Sequence, residues 1–319
     1  MRPQEVDLTA PLGGRTVPNP LSTAAGCAGY GRELAAYVPL DALGTLTTRT
    51  VGPAPRPAGP GPRIAETPSG MLSAIGRAGD GVARFVREEL PWLAERGARV
   101  LVSVAGERLE EYAEVAAELD GRPGVAGLEL DLSGPNAADR GRPFAHNPAT
   151  SYDVVRAVRH AVGAELPVYP KLSPDLAAVT GVAAACVQAG ADGLSMISAP
   201  LGMAVDPVTL RPALAAGIGG LSGPAIRPLA VRCVYQVHAE MLAGRIPRVP
   251  ILAMGGLRTG LDALEFTLAG ASGVAVGSTL FHDPTAPLRI LDELRTELAA
   301  RGFARYTDAV GYAHRAVPT

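Results

Sequence analysis

The amino-acid sequence predicts one α/β domain over residues 1–319, a single (β/α)8 barrel of the TIM type with insertions on its active-site side. Short apolar runs alternate with longer amphipathic ones along most of the chain, the pattern of a parallel α/β architecture. Eight such short runs are present, and several are apolar throughout, as strands covered on both faces are. The unusual chain length falls on segments that follow strands, the end where such barrels carry their chemistry. A doubly wound open sheet of similar content is the competing fold.

The predicted strands are residues 21–25, 45–49, 99–104, 127–132, 167–172, 193–198, 250–254 and 273–276. Helices are predicted over 81–96, 108–119, 148–162, 176–189, 224–242, 261–269 and 287–300, where apolar residues recur at i, i+3 and i+4. Pro148 and Pro224 suit first helical turns, Asp175 and Thr259 suit N-caps, and Gly190 and Gly270 stand where helices stop before strands. Residues 52–68, 134–147 and 199–222 read as loops, the first too long and too rich in Pro and Gly for a plain connection.

Composition removes several function classes. The 319 residues carry 29 Lys and Arg against 31 Asp and Glu, a net charge of −2, and are 47% hydrophobic. That balance supports a large core and gives no basic footprint for nucleic acid. Cys27, Cys186 and Cys233 lie far apart with no CxxC pair, which excludes a zinc ribbon, an iron–sulfur cluster or a disulfide framework held by this chain, and no metal ligands are assigned. The first ten residues contain no apolar signal core, and no apolar run reaches membrane-spanning length. A cytoplasmic protein with no membrane partner is expected.

One of the 29 basic residues is a lysine, Lys171, in a chain that otherwise uses Arg. Asparagine occurs only at Asn19, Asn136 and Asn147. Both scarcities fit a GC-rich coding bias, so the positions that keep these residues draw notice.

Three small-residue clusters occupy the last third: Gly219–Pro224 before a helix, 254–257 after the seventh strand and 276–278 after the eighth. Glycine lets backbone N–H groups approach a phosphate, a helix N-terminus adds its dipole, and Ser222 and Ser278 add hydroxyls. These clusters alone leave a flavin mononucleotide and a sugar phosphate both open. Lys171 at the end of the fifth strand favours the flavin, because a compact ammonium beside the ring stabilises negative charge after hydride arrives.

Residues 65–76 (AETPSGMLSAIG), 128–136 (LELDLSGPN), the Lys171 segment and 219–224 together resemble the dihydroorotate dehydrogenase family. The likeness runs from about Asn19 to Pro284 and is nearest the soluble class whose catalytic subunit pairs with an iron–sulfur/FAD electron-transfer subunit. It implies FMN at the barrel mouth and a homodimer. Carried over by position, it sets the cofactor against Ala25, Gly26, Arg49, Thr50, Ser103, Asp131, Lys171, Ile197, Ser222, Gly223, Gly255, Gly256, Gly277 and Ser278. It sets the substrate against Arg49, Ser73, Asn136 and Ser198.

The substrate half departs from the family pattern. Gly134 stands where the family carries its proton-accepting Cys, Asp131, Ser73 and Ser198 stand where it carries Asn, and Arg77 where it carries Leu. Losing fixed amides and a positioned base should change what a polar pocket accepts. The expectation is therefore an FMN-dependent oxidoreductase that moves hydride between N5 and a CH–CH or C=C bond next to a carbonyl, on a small polar substrate other than dihydroorotate. An ordinary dihydroorotate dehydrogenase with a relocated base, a catalytically silent flavin-binding barrel and a flavin-free sugar-phosphate barrel are the alternatives. Asp131 and Ser133 are candidate bases, with Cys27 and His146 behind them. His160, His238, His282, His314, Cys186 and Cys233 read as structural.

Overall fold

The computed structural model describes residues 1–134, 142–174 and 179–315. Eight strands build the central sheet: β1 (Leu21–Thr23), β2 (Leu46–Thr47), β3 (Val100–Val104), β4 (Val125–Asp131), β5 (Val168–Leu172), β6 (Leu194–Met196), β7 (Ile251–Met254) and β8 (Gly273–Val276). They follow one another in the order β1-β8-β7-β6-β5-β4-β3-β2, and every ladder is parallel. The ring closes between β1 and β2 with few bonds. Thr45 N donates to Leu21 O at 3.2 Å, while Thr23 Oγ1 accepts from Thr47 N and donates to Thr47 O, both at 3.0 Å. A β-branched hydroxyl side chain thus replaces part of a ladder that two very short strands cannot supply.

The helices Leu109–Leu119, Pro148–Ala161, Val179–Gln188, Arg227–Leu242, Gly260–Ala269 and Ala286–Ala300 surround the barrel. Their starts follow from local chemistry. Asn147 Oδ1 accepts from Ala149 N with Pro148 in the first turn, and Thr259 with Asp262 forms a capping box. Gly190 and Gly270 end helices at φ 103° and 124°, where only glycine sits without strain. The expected Asp175 cap lies outside the described residues. The run predicted over 81–96 is interrupted: Val82–Arg84 and Leu90–Ala94 flank a π-helical turn at Phe85–Glu89. No described helix is long and apolar enough to cross a membrane.

Strand β4 shows how the barrel sorts side chains. Leu128 and Leu130 face the helices while Glu129 and Asp131 face inward, since successive strand residues alternate. Tyr112 and Phe144 pack edge-on behind it, with ring centroids 5.5 Å apart.

Two segments expected as loops contain strands. Ile64–Thr67 and Gly70–Ser73 form a hairpin that joins Gly219–Ser222 and Leu201–Gly202 in a four-stranded antiparallel sheet. Val205–Asp206 pairs with Arg211–Pro212 beside it. These strands are short, broken by Gly and Pro, and find partners far along the chain, so local periodicity does not reveal them. A further hairpin, Ala10–Leu12 with Arg15–Val17, lies against the opposite end of the barrel; a Cβ on Gly13 would lie 2.8 Å from Pro167 Cβ.

Candidate active site

A cavity of about 560 Å³ opens at the C-terminal ends of the strands, roofed by the antiparallel insertion. Its size falls within the range of roughly 300–1,000 Å³ usual for small-molecule sites. The sequence-predicted residues Ala25, Gly26, Arg49, Thr50, Ser73, Asp131, Ser133, Lys171, Ile197, Ser198, Ser222, Gly223, Gly255, Gly256, Gly277 and Ser278 all line it. Ser103 does not. It is fully buried on β3, one layer back, with its Oγ 3.0 Å from Thr50 Oγ1. Asn136 lies outside the described residues.

One end of the cavity is built from backbone. Gly223, Gly255 and Gly256 adopt φ 101°, 124° and 80°. A Cβ on Gly256 would lie 2.7 Å from Gly223 O, and one on Gly223 would lie 2.6 Å from Gly70 Cα, so the three chain segments can meet only as glycines. Gly223 also stands at the start of the helical run Pro224–Ile226 and Arg227–Leu242, whose N-terminus is the positive end of its dipole. Together with Gly277 and Ser278 this is an anion cradle. Gly26, at φ 84°, meets nothing within 4 Å where its Cβ would stand, so the wall is open there.

The other end carries charge. Lys171 is buried on β5, and its Nζ lies 3.4 Å from Oε1 of Glu129, a carboxylate with no exposure. Glu129 Oε2 has no hydrogen-bond partner among the described residues. This pair puts an ammonium on the cavity floor with its counter-charge beneath it. Arg49 donates from Nη2 to Ala78 O and stands 6.0 Å from the Tyr30 ring. Arg77 donates from Nη1 to Gly106 O at 2.9 Å, and Nη2 lies 3.6 Å from Glu107. Among the described lining residues, three cations face one carboxylate, Asp131. Such a site favours an anionic ligand.

Asp131 ends β4 in register with Lys171 on β5. Its Oδ1 accepts from Ser133 N at 3.0 Å and from Ser133 Oγ at 2.5 Å. Its backbone carbonyl accepts from Tyr112 OH at 2.6 Å. Gly134 follows, and a Cβ there would lie 2.9 Å from both Cζ and Nη1 of Arg77. The guanidinium therefore fills the space a side chain at 134 would use. Cys27 also lines the cavity, but burial pushes its thiol up to about 11, with Lys171 opposing the shift weakly. His146 is not part of the wall.

Sequence reasoning missed Glu129 and, although it marked Arg77 as a departure from the family pattern, did not place its guanidinium against Gly134. A glutamate in an otherwise apolar strand, two residues before an aspartate, was the available signal for the first. The second depends on a contact between residues 77 and 134, which no local pattern encodes.

The cavity fits FMN. The glycine cradle with its helix start suits a phosphate, the open wall at Gly26 leaves room for a ring system, and Lys171 supplies fixed positive charge.

Comparison with known proteins bears on the same point. A family model described as dihydroorotate dehydrogenase matches residues 7–298. The chain is 45% identical over 305 residues to the Pelobacter propionicus protein named dihydroorotate dehydrogenase B (NAD(+)), catalytic subunit, covering 96% of this chain and 98% of that one. Proteins of the same name from Desulforudis audaxviator and Bacillus thuringiensis are 43% and 41% identical, with 95% or more of each chain covered. These likenesses correct the expectation of a substrate other than dihydroorotate. The missing amides weighed too heavily in that expectation: Ser73 and Ser198 keep a donor and an acceptor on the cavity wall, and Arg49 and Arg77 add donors beside them.

Proposed function

The chain belongs to the dihydroorotate dehydrogenase family, and from that premise we propose that it oxidises dihydroorotate to orotate as the catalytic subunit of an NAD+-linked enzyme of pyrimidine synthesis. It is an FMN-dependent oxidoreductase acting on CH–CH groups, and its substrate is a small molecule. The observation that carries the reading is the two-ended cavity, with a glycine cradle at one end and Lys171, Arg49 and Arg77 at the other.

Bound FMN supplies a two-electron acceptor for the hydride leaving the substrate. The chain's own residues do the rest. Gly223, Gly255, Gly256, Gly277 and Ser278 would hold the phosphate, and Lys171 would sit by the ring. Its fixed charge, backed by Glu129, needs no rearrangement when negative charge develops nearby. Arg49 offers a fork for the substrate carboxylate, and Ser73 and Ser198 offer hydroxyls to its ring edge. The insertion sheet covers the site and limits water.

The words "catalytic subunit" in the relatives' names support an electron-transfer partner. A homodimer is supported by exposed apolar side chains on the insertion, including Leu201, Met203, Val205, Val208, Leu210 and Ile218. The cytoplasm is the compartment consistent with a soluble substrate of nucleotide synthesis. Purified protein supplied with dihydroorotate and an artificial electron-accepting dye should form orotate. Binding of dihydroorotate with no orotate formed would contradict the assignment.

A further inference from the structure

Oxidising a CH–CH bond requires a group that takes a proton as the hydride leaves, and position 134 has no side chain to do so. We propose that Ser133, paired with Asp131, is the proton acceptor of this enzyme; the proposal rests on the dehydrogenase reading above. Three observations lead there. First, the space beside residue 134 belongs to Arg77, whose guanidinium lies 2.9 Å from where a Cβ would stand. A cation there accepts no proton. Second, the other described lining groups are poorly suited: Lys171 and Arg49 are cations, and Cys27 holds its proton because burial pushes the thiol up to about 11. Among the lining hydroxyls Thr50 pairs with Ser103 and Ser222 with a backbone carbonyl, while Ser133 is the one seen donating to a carboxylate among the described residues. Third, Ser133 is exposed on the cavity wall, and its Oγ already donates to Asp131 Oδ1 at 2.5 Å. That is the arrangement of an activated hydroxyl: a nucleophilic oxygen with a carboxylate in hydrogen-bond reach.

The step balances without another reagent. Ser133 Oγ forms a bond to the substrate proton while its own proton passes to Asp131 Oδ1. The electron pair of the broken C–H bond becomes the new C=C bond, and the hydride on the adjacent carbon would pass to the flavin that the glycine cradle and Lys171 would hold. Asp131 then loses its proton to solvent. Ser133 is the catalytic residue, and Asp131 acts through it. Lys171, in register with Asp131, and Arg77, against Gly134, set positive charge beside the pair.

The test is anaerobic reduction of the FMN-loaded protein by dihydroorotate, with orotate affinity measured in parallel from the perturbed flavin spectrum. Ser133→Ala and Asp131→Asn should each lower the reduction rate at saturating dihydroorotate by about 10²–10⁴-fold, the usual contribution of a positioned base. Orotate affinity should stay within a few-fold, which a merely structural disturbance of the turn would not allow. Ser133→Thr, which keeps a hydroxyl, should retain most of the rate, and the Ser133→Ala/Asp131→Asn double variant should be no slower than the worse single one. Either single variant reducing at the wild-type rate overturns the proposal while leaving the function intact. Wild-type protein that dihydroorotate does not reduce removes both.

Discussion

At the scale of single residues, the site depends on charges fixed in place. Glu129 and Lys171 form a buried pair at 3.4 Å, and removing one partner of such a pair leaves an uncompensated charge. Glu129→Ala should therefore cost about 3–5 kcal/mol in chemical denaturation. Lys171→Met removes the cation at the flavin site, and the rate of reduction by substrate should fall about 10²–10³-fold, as when a preorganised electrostatic donor is lost. Arg77 and Gly134 are coupled by space. In a Ser133→Ala background, Gly134→Cys together with Arg77→Leu should restore reduction by supplying a thiol with room to stand. Gly134→Cys alone should restore less, because its Cβ must first displace the guanidinium. Rapid-reaction traces of the three variants check this. Of these residues the sequence marked Lys171 by its rarity and Gly134 by its departure from the family pattern. It left Glu129 among strand residues, because the inward face of β4 becomes visible only when β5 is placed beside it.

At the scale of elements, the helix Arg227–Leu242 carries a pH-sensitive contact remote from the chemistry. His238 on that helix packs against Gly270 and Gly311, and its ring lies 4.9 Å from that of His314. Burial, then the charges of His314 and Arg248, push His238 down to about 4 from the ordinary imidazole value of 6.5. Between those values the unfolded chain binds a proton that the folded chain refuses. Stability should therefore be full above about pH 6.5 and decline as the pH falls toward 4. Replacement His238→Gln should flatten that dependence in urea titrations at several pH values. Elements also show where local reading fails. The eight barrel strands and their helices follow from apolar runs and caps, so they were legible to within a few residues. The roof over the site was not, because Gly70–Ser73 pairs with Gly219–Ser222 across the whole barrel and neither segment alternates in polarity.

At the scale of the whole molecule, one barrel end holds chemistry and the insertion above it holds an apolar surface. Val208 and Leu210 are 88% and 78% exposed, beside Val205 and Leu201. Large side chains grouped in this way mark an association surface. For the proposed homodimer, a Val208→Asp/Leu210→Asp double variant should give a monomer in light scattering where the parent protein gives a dimer, while leaving the buried core untouched. The overall function was legible in the cofactor half, where glycines and one lysine report backbone shape and charge. It was misread in the substrate half, where amides counted in the sequence say little about the hydroxyls and guanidinium groups that occupy the same wall.

The reaction proposed for this cavity is the oxidation of dihydroorotate. The most direct measurement mixes the yellow, FMN-loaded protein with dihydroorotate in the absence of oxygen and follows the flavin absorbance. Rapid bleaching with one orotate formed per flavin reduced is the expected result. A flavin that stays oxidised with saturating dihydroorotate, yet bleaches with a chemical reductant, would contradict it.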